Sequence, residues 1–262
     1  SSSPAEQAKK LVSQPLDQAV AALCAMPREQ QQQWQAALQT QCQTNPRDAQ
    51  SALALSVISE VLAATQADAP QDPMLPQKLM EQPKMKLLQA VQNMARHQVD
   101  PADERQQLLA LQADARAVCD AMLAMAKNNP QLQKQIRSIA SAIANDPEAA
   151  LDILKNGIAD PDDPGQAQRI SFDRLLTEFM VDDAPTQGAT KAYLKAAIGL
   201  VDTRHTLMAA RRSGEHQDSW AVLAEFLQDP DLPADLAESF VSENAALLKP
   251  LWRHLGRQPG RV

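Results

Sequence analysis

A chain of 262 residues is long enough for one large domain or two small ones, and a net charge of −7 with a pI near 5.1 disfavours DNA, RNA and anionic membrane as partners. Hydrophobic residues make up 44% of the chain but aromatics only 3%, and just 7 Gly are present, so pleated sheets, hairpins and phosphate-cradling loops have little to be built from. The abundant Ala, Leu, Met and Gln lose little freedom in a helix, which predicts an all-α fold.

The start, Ser1-Ser2-Ser3-Pro4, lacks Met and the apolar stretch of a signal peptide, and it reads as a trimmed start or a scar, which leaves room for a functional extension ahead of it. Leu16, Val20 and Leu23 then form one apolar stripe at helical spacing, and Trp34, Leu38 and Cys42 another. The Gln-rich run 28–43 reads as a solvated helix face. Leu53, Val57, Val61 and Leu62 share a face over 46–66, and Leu87, Leu88, Val91 and Met94 do so over 84–97. Further helices are predicted at 101–128, 130–144 and 147–156, the last stopped by Gly157. The stretch 157–170, with its Gly, Pro and clustered Asp, is expected to be a linker. Beyond it come helices near 171–181, 189–212, 217–228 and 233–249, and a last short one with Leu251, Trp252 and Leu255. Asn-Pro or Asp-Pro pairs recur at Asn45, Asp72, Asp100, Asn129, Asp146, Asp163 and Asp229, where the first residue can cap a helix and Pro can open one. The expected architecture is a multi-helix bundle in two packed halves, 1–156 and 171–262. No run of 18 apolar residues is present to cross a bilayer.

Chemistry finds little support. His97, His205, His216 and His254 show no HxxxH, HExxH or HxH spacing, so no metal is expected. Neither a phosphate loop, a dinucleotide fingerprint nor a GxSxG elbow occurs, which argues against an enzyme and against a cofactor. Cys24, Cys42 and Cys119 are odd in number and lack CxxC spacing, and they are expected to be free, buried thiols in a reducing compartment. Asp162-Asp163 and Asp182-Asp183 read as solvated turn residues.

What remains is a protein partner. Arg211 and Arg212 fall near a helix C-terminus, and Lys249, Arg253, Arg257 and Arg261 follow Glu243 without a further acid. This basic end is read as a docking surface for an acidic protein; nucleic acid is the weaker alternative, because stacking aromatics are missing. A second feature is the segment 182–192, read as a loop between two helices, whose Gln187-Gly188-Ala189 resembles the catalytic loop of all-α bacterial effectors that act as exchange factors for small GTPases. That resemblance implies a regulator of a small GTPase with Gln187 at its working point, although no WxxxE motif follows Trp34, Trp220 or Trp252. The Ala/Gln-rich style is similar to that of bacterial secretion-associated proteins, type III effectors or gatekeeper subunits, and implies a location in the cytoplasm or, for an effector, in a host cytoplasm.

Overall fold

The structure is a computed structural model that describes residues 2–65, 71–97, 103–163, 165, 168–179, 184–213, 217–230, 232–245, 248–249 and 253. Among them the fold is all-α apart from one two-stranded ribbon. The helices are α1 (Pro4–Val12), α2 (Leu16–Ala25), α3 (Arg28–Thr44), α4 (Ala49–Ala64), α5 (Leu75–Met80), α6 (Pro83–His97), α7 (Glu104–Met125), α8 (Pro130–Asn145) and α9 (Pro147–Asn156). After the strands β1 (Ile158–Ala159) and β2 (Arg169–Ile170) come α10 (Phe172–Phe179), α11 (Ala184–Ser213), α12 (Gln217–Leu227) and α13 (Ala234–Glu243). None of the described helices is long and apolar enough to cross a membrane.

The capping chemistry sets the boundaries. Ser3 opens α1 with a capping box: its hydroxyl accepts the Glu6 N–H at 3.2 Å, and the Glu6 carboxylate reaches back to the Ser3 N–H at 3.4 Å. Asn129 and Asp146 cap α8 and α9 as expected, accepting from Leu132 and Glu148 with Pro in the first turn. At other Asx–Pro pairs the side chain folds a turn instead. Asn45 closes α3 and accepts from Arg47, Asp72 accepts from Met74, and Asp163 accepts from Gly165 and Gln168. The caps of α4 and α7 lie three residues past their pairs, at Asp48 and Asp103. Asp100-Pro101 lies outside the described residues.

Helix α4 is the centre of the molecule. It is apolar nearly all round, even Ser51 and Ser56 are buried, and α1, α2, α3, α5 and α11 pack about it. The 30 residues of α11 span about 45 Å at the helical rise. They lie on α4, α6 and α9 and carry α12. One apolar cluster therefore runs without a break from Ala8 to Leu248. The segment α7–α8–α9 packs as a group, with α6 against α7.

Three expectations change in detail. Residues 157–170 hold an antiparallel ribbon, Ile158 opposite Ile170 and Ala159 opposite Arg169. Gly157 at φ 70 makes it possible, since a Cβ there would run into the Ile170 carbonyl, and the Arg169 guanidinium ties the turn to the Asn156 and Gly157 carbonyls at 2.8 and 2.9 Å. Of the segment 182–192, the described part, 184–192, is not a loop. From Ala184 onward it is the first turns of α11, because Pro185 is tolerated where helix N–H groups have no partner and the residues after it are small or helix-forming. Finally, Gln31 is not part of a solvated face: it is buried, and its amide donates to the Leu23 carbonyl at 2.5 Å, satisfying the end of α2. The short helix around Leu251, Trp252 and Leu255 lies outside the described residues.

Candidate functional site

The hairpin α12–α13 supplies the most distinctive surface. Gly199 of α11 lets it approach, because a Cβ at that position would occupy the space of the Phe226 ring. Leu223 and Ala224 of α12 and Leu236 and Phe240 of α13 are buried inward. The turn between the helices is closed by Asp229 N–H to the Phe226 carbonyl and Leu232 N–H to the Asp229 carbonyl, both at 3.1 Å.

Helix α13 also carries a second apolar stripe. Ala237 and Val241, four residues apart, are only half-buried, as is Leu227 on α12. With Ala224 they floor an open groove of about 460 Å³ whose rim is Gln228, Glu238 and Ser242. Two alanines on the floor keep it wide. Apolar half-exposed residues at helical spacing on both walls leave a strip that water wets poorly. The electrostatic setting is one-sided. No Lys, Arg or His occurs between His216 and Lys249, whereas Glu225, Glu238 and Glu243 are all exposed. Asp229 has the exposed Lys195 of α11 at 3.9 Å.

Asp235, at the start of α13, faces inward. Its carboxyl is pushed above its ordinary range, first by burial and then by Glu238; backbone N–H groups and Arg96 act against this. One of its oxygens, Oδ1, has no hydrogen-bond partner.

The residues expected from sequence are not brought together: Gln187 and the pair Arg211 and Arg212 fall at opposite ends of α11. Lys249 and Arg253 are exposed. Arg211 and Arg212 fall in the last turn of α11 and Gln187 in its first, but their side chains, and all of Arg257, lie outside the described residues. Gln187 is thus in a helix rather than at a loop tip. Arg204 is buried, which lowers its pKa, with Glu104 opposing. The His205 Nδ1 stands 2.8 Å from Glu104 Oε1 at the start of α7, well inside α11 and not at a helix end. His97 does lie at a helix end, the C-terminus of α6, with its Nδ1 2.8 Å from Asp114.

Two other hollows carry less. A cavity of about 520 Å³ between α7, α9 and α11 is lined by Glu104, Arg105, Glu148 and His205, and its histidine is already paired with Glu104. A larger one, about 740 Å³, lies beside Cys24, but its Arg28 is committed to the Thr65 carbonyl and hydroxyl at 2.5 and 2.9 Å. Cys24 and Cys42 are half-buried and Cys119 buried, all free, and burial pushes the Cys119 thiol up to about 12, with Asp120 adding to it. None is poised as a nucleophile at neutral pH. Among the described residues no group of three or more His, Cys, Asp or Glu could hold a metal ion.

No protein-family model, curated protein or solved structure matches this chain.

Proposed function

We propose that the protein works by binding another protein, and that the α12–α13 groove is the contact. The observation that carries this reading is the half-exposed stripe of Leu227, Ala237 and Val241, a second apolar face on a hairpin whose first face already fills the core. Desolvating such a strip is favourable only when a partner covers it. The exposed Lys249 and Arg253 beyond α13 are a separate positive element, outside the described lining of the groove. Regulation of a GTPase through a loop at 182–192 loses its basis, because the segment is helical from Ala184. The likeness to secretion-associated proteins rests on composition, and with it the assignment to a producer or a host cytoplasm.

The test is site-directed photo-crosslinking in the cell that makes the protein. A photoreactive side chain at Gln228 or Ser242 should yield a discrete adduct. The same group at Arg116, exposed on α7, should not. Introducing Val241→Glu should remove the adduct while helical circular dichroism stays unchanged. Equal adducts from Arg116, or adducts indifferent to Val241→Glu, would defeat the reading.

A further inference from the structure

We infer that the groove takes a basic amphipathic helix, an inference that rests on the reading of the α12–α13 groove as a contact surface. Three features of the groove select this occupant. Its lining residues recur at helical spacing, Ala224 and Leu227 on α12 with Gln228 just past its end, and Ala237, Glu238, Val241 and Ser242 on α13. Such rows form ridges and a trough between them, the shape into which the ridge of a third helix packs. The floor alanines let that helix approach closely.

The other common ways of gripping a peptide do not fit. Adding a strand needs a free sheet edge, and the groove is walled by helices alone. Gripping a proline-rich segment needs aromatic side chains on the walls, and none of the described residues lining this groove is aromatic. Recognition of phosphate or acidic motifs needs clustered arginines, and the α12–α13 sequence has no basic residue at all. An amphipathic helix read through apolar anchors three, four and seven residues apart is what remains.

Charge then fixes the flanks of that helix. Glu238 stands on the rim, Glu225 and Glu243 are exposed on the two helices that form it, and no cation on either helix offsets them. Lys195 lies 3.9 Å from Asp229, at the turn end of the hairpin. A helix with Lys or Arg beside its apolar stripe is drawn in, and one with Glu is repelled. These are rim charges, so their effect is on encounter rate and is screened by salt.

The experiment uses two synthetic helical peptides with the same leucine stripe at i, i+4, i+7 and i+11, one flanked by Lys and one by Glu. Their binding to the full chain is followed by fluorescence anisotropy at low and at 0.5 M salt. The Lys-flanked peptide should bind saturably and roughly tenfold tighter at low salt, and the gap should close at high salt. Glu225→Lys with Glu238→Lys should invert the preference. Val241→Glu should abolish binding of both peptides, and Ser242→Trp, which blocks the trough from its exposed rim, should do the same without touching the core. If the Glu-flanked peptide binds as well as the Lys-flanked one, and both depend on Val241, the charge inference fails and the groove reading survives. If neither peptide binds in a manner sensitive to Val241 or Ser242, both fail. If the chain alone self-associates through this surface, and Ser242→Trp breaks the association, a second copy is the occupant and the inference is overturned.

Discussion

Two carboxylates, each near the start of a helix, meet opposite fates. Asp48 caps α4 and is a hub: it accepts from Lys9 Nζ at 2.8 Å, Gln41 Nε2 at 3.2 Å, and the Ser51 N–H and hydroxyl at 3.0 and 2.8 Å. Burial works to raise its pKa, but the hydrogen bonds from Lys9 and Ser51 together with the Lys9 charge outweigh it, and the carboxyl sits below its ordinary range. Asp235 at α13 is half-buried, its Oδ1 shielded from solvent and without a partner among the described residues, and its carboxyl is pushed up instead. The same side chain measures how completely its surroundings are finished. Around α4 the Asp48 carboxylate meets four donors and the helix is buried nearly all round, although Gln31 Oε1 on the neighbouring α3 is also without a partner among the described residues. At α12–α13 an acid is half-buried without full compensation, and an apolar stripe faces outward. A region that serves only stability tends toward the first condition, and a contact surface tolerates the second.

The sharpest way to break this contrast is to delete packing at both places. Ile58 lies fully buried on α4, and Ile58→Ala should cost about 3 kcal/mol through lost burial and the cavity left behind. Val241→Ala, which trims a half-exposed side chain, should cost less than about 1 kcal/mol. Urea denaturation midpoints compare the two directly. Equal losses would mean that the α13 stripe is core, and the groove reading would fall.

Asp48→Ala should come next, at about 2 kcal/mol, because it removes a helix cap and the ties to α1 and α3 together. Its pH signature is specific. A carboxyl held below its ordinary value of 3.8 contributes stability above that value, and the contribution is lost as pH falls through the lowered value. The wild-type protein should therefore lose stability on the acid limb more steeply than Asp48→Ala. Parallel acid limbs in a melting-temperature series would remove Asp48 from its role as hub.

Much of the bundle was legible in the sequence because burial and helical period coincide. Leu53, Val57, Val61 and Leu62, read as one face, are all buried on α4, and α9 has the bounds that the caps Asp146 and Gly157 imply. The start of α11 was not legible, because Asp182, Asp183, Pro185 and Gly188 carry loop propensities that a helix N-terminus also accepts. Glutamines misled for a related reason. Gln31, read within a solvated run, is buried and donates to the Leu23 carbonyl near the end of α2, and Gln92 is likewise buried and donates to the Val12 and Gln14 carbonyls at and beyond the end of α1. The groove was hidden by its own periodicity: Leu236 and Phe240 point into the core, Ala237 and Val241 line the groove, and both pairs are four apart. Only packing tells the two stripes apart. One signal was available and passed over, the absence of any basic residue from 217 to 248.

The smallest expected effect lies at Asp235, and it bears most directly on the comparison. Its charged form is disfavoured by burial and by Glu238, with Arg96 pulling the other way and the buried Tyr193 hydroxyl nearby. A carboxyl whose folded pKa is raised contributes stability fully present below the ordinary value of 3.8, and the contribution is lost as pH rises through the raised value. Once the pH exceeds that raised value, the wild-type protein carries an ionised group that its fold disfavours. Asp235→Asn keeps the size, and its amide oxygen can still accept the backbone N–H bonds, but the charge is gone. Its melting temperature relative to wild type should therefore climb as pH is raised from 4 to 8, opposite in direction to the acid-limb effect at Asp48. The neutral amide brings its own unpartnered donor, so the sign at any single pH decides nothing; the slope does. A difference that stays flat over this range would mean that Asp235 finds a partner when it ionises. The hairpin would then be as fully compensated as the α4 region, and the contrast between them would fail.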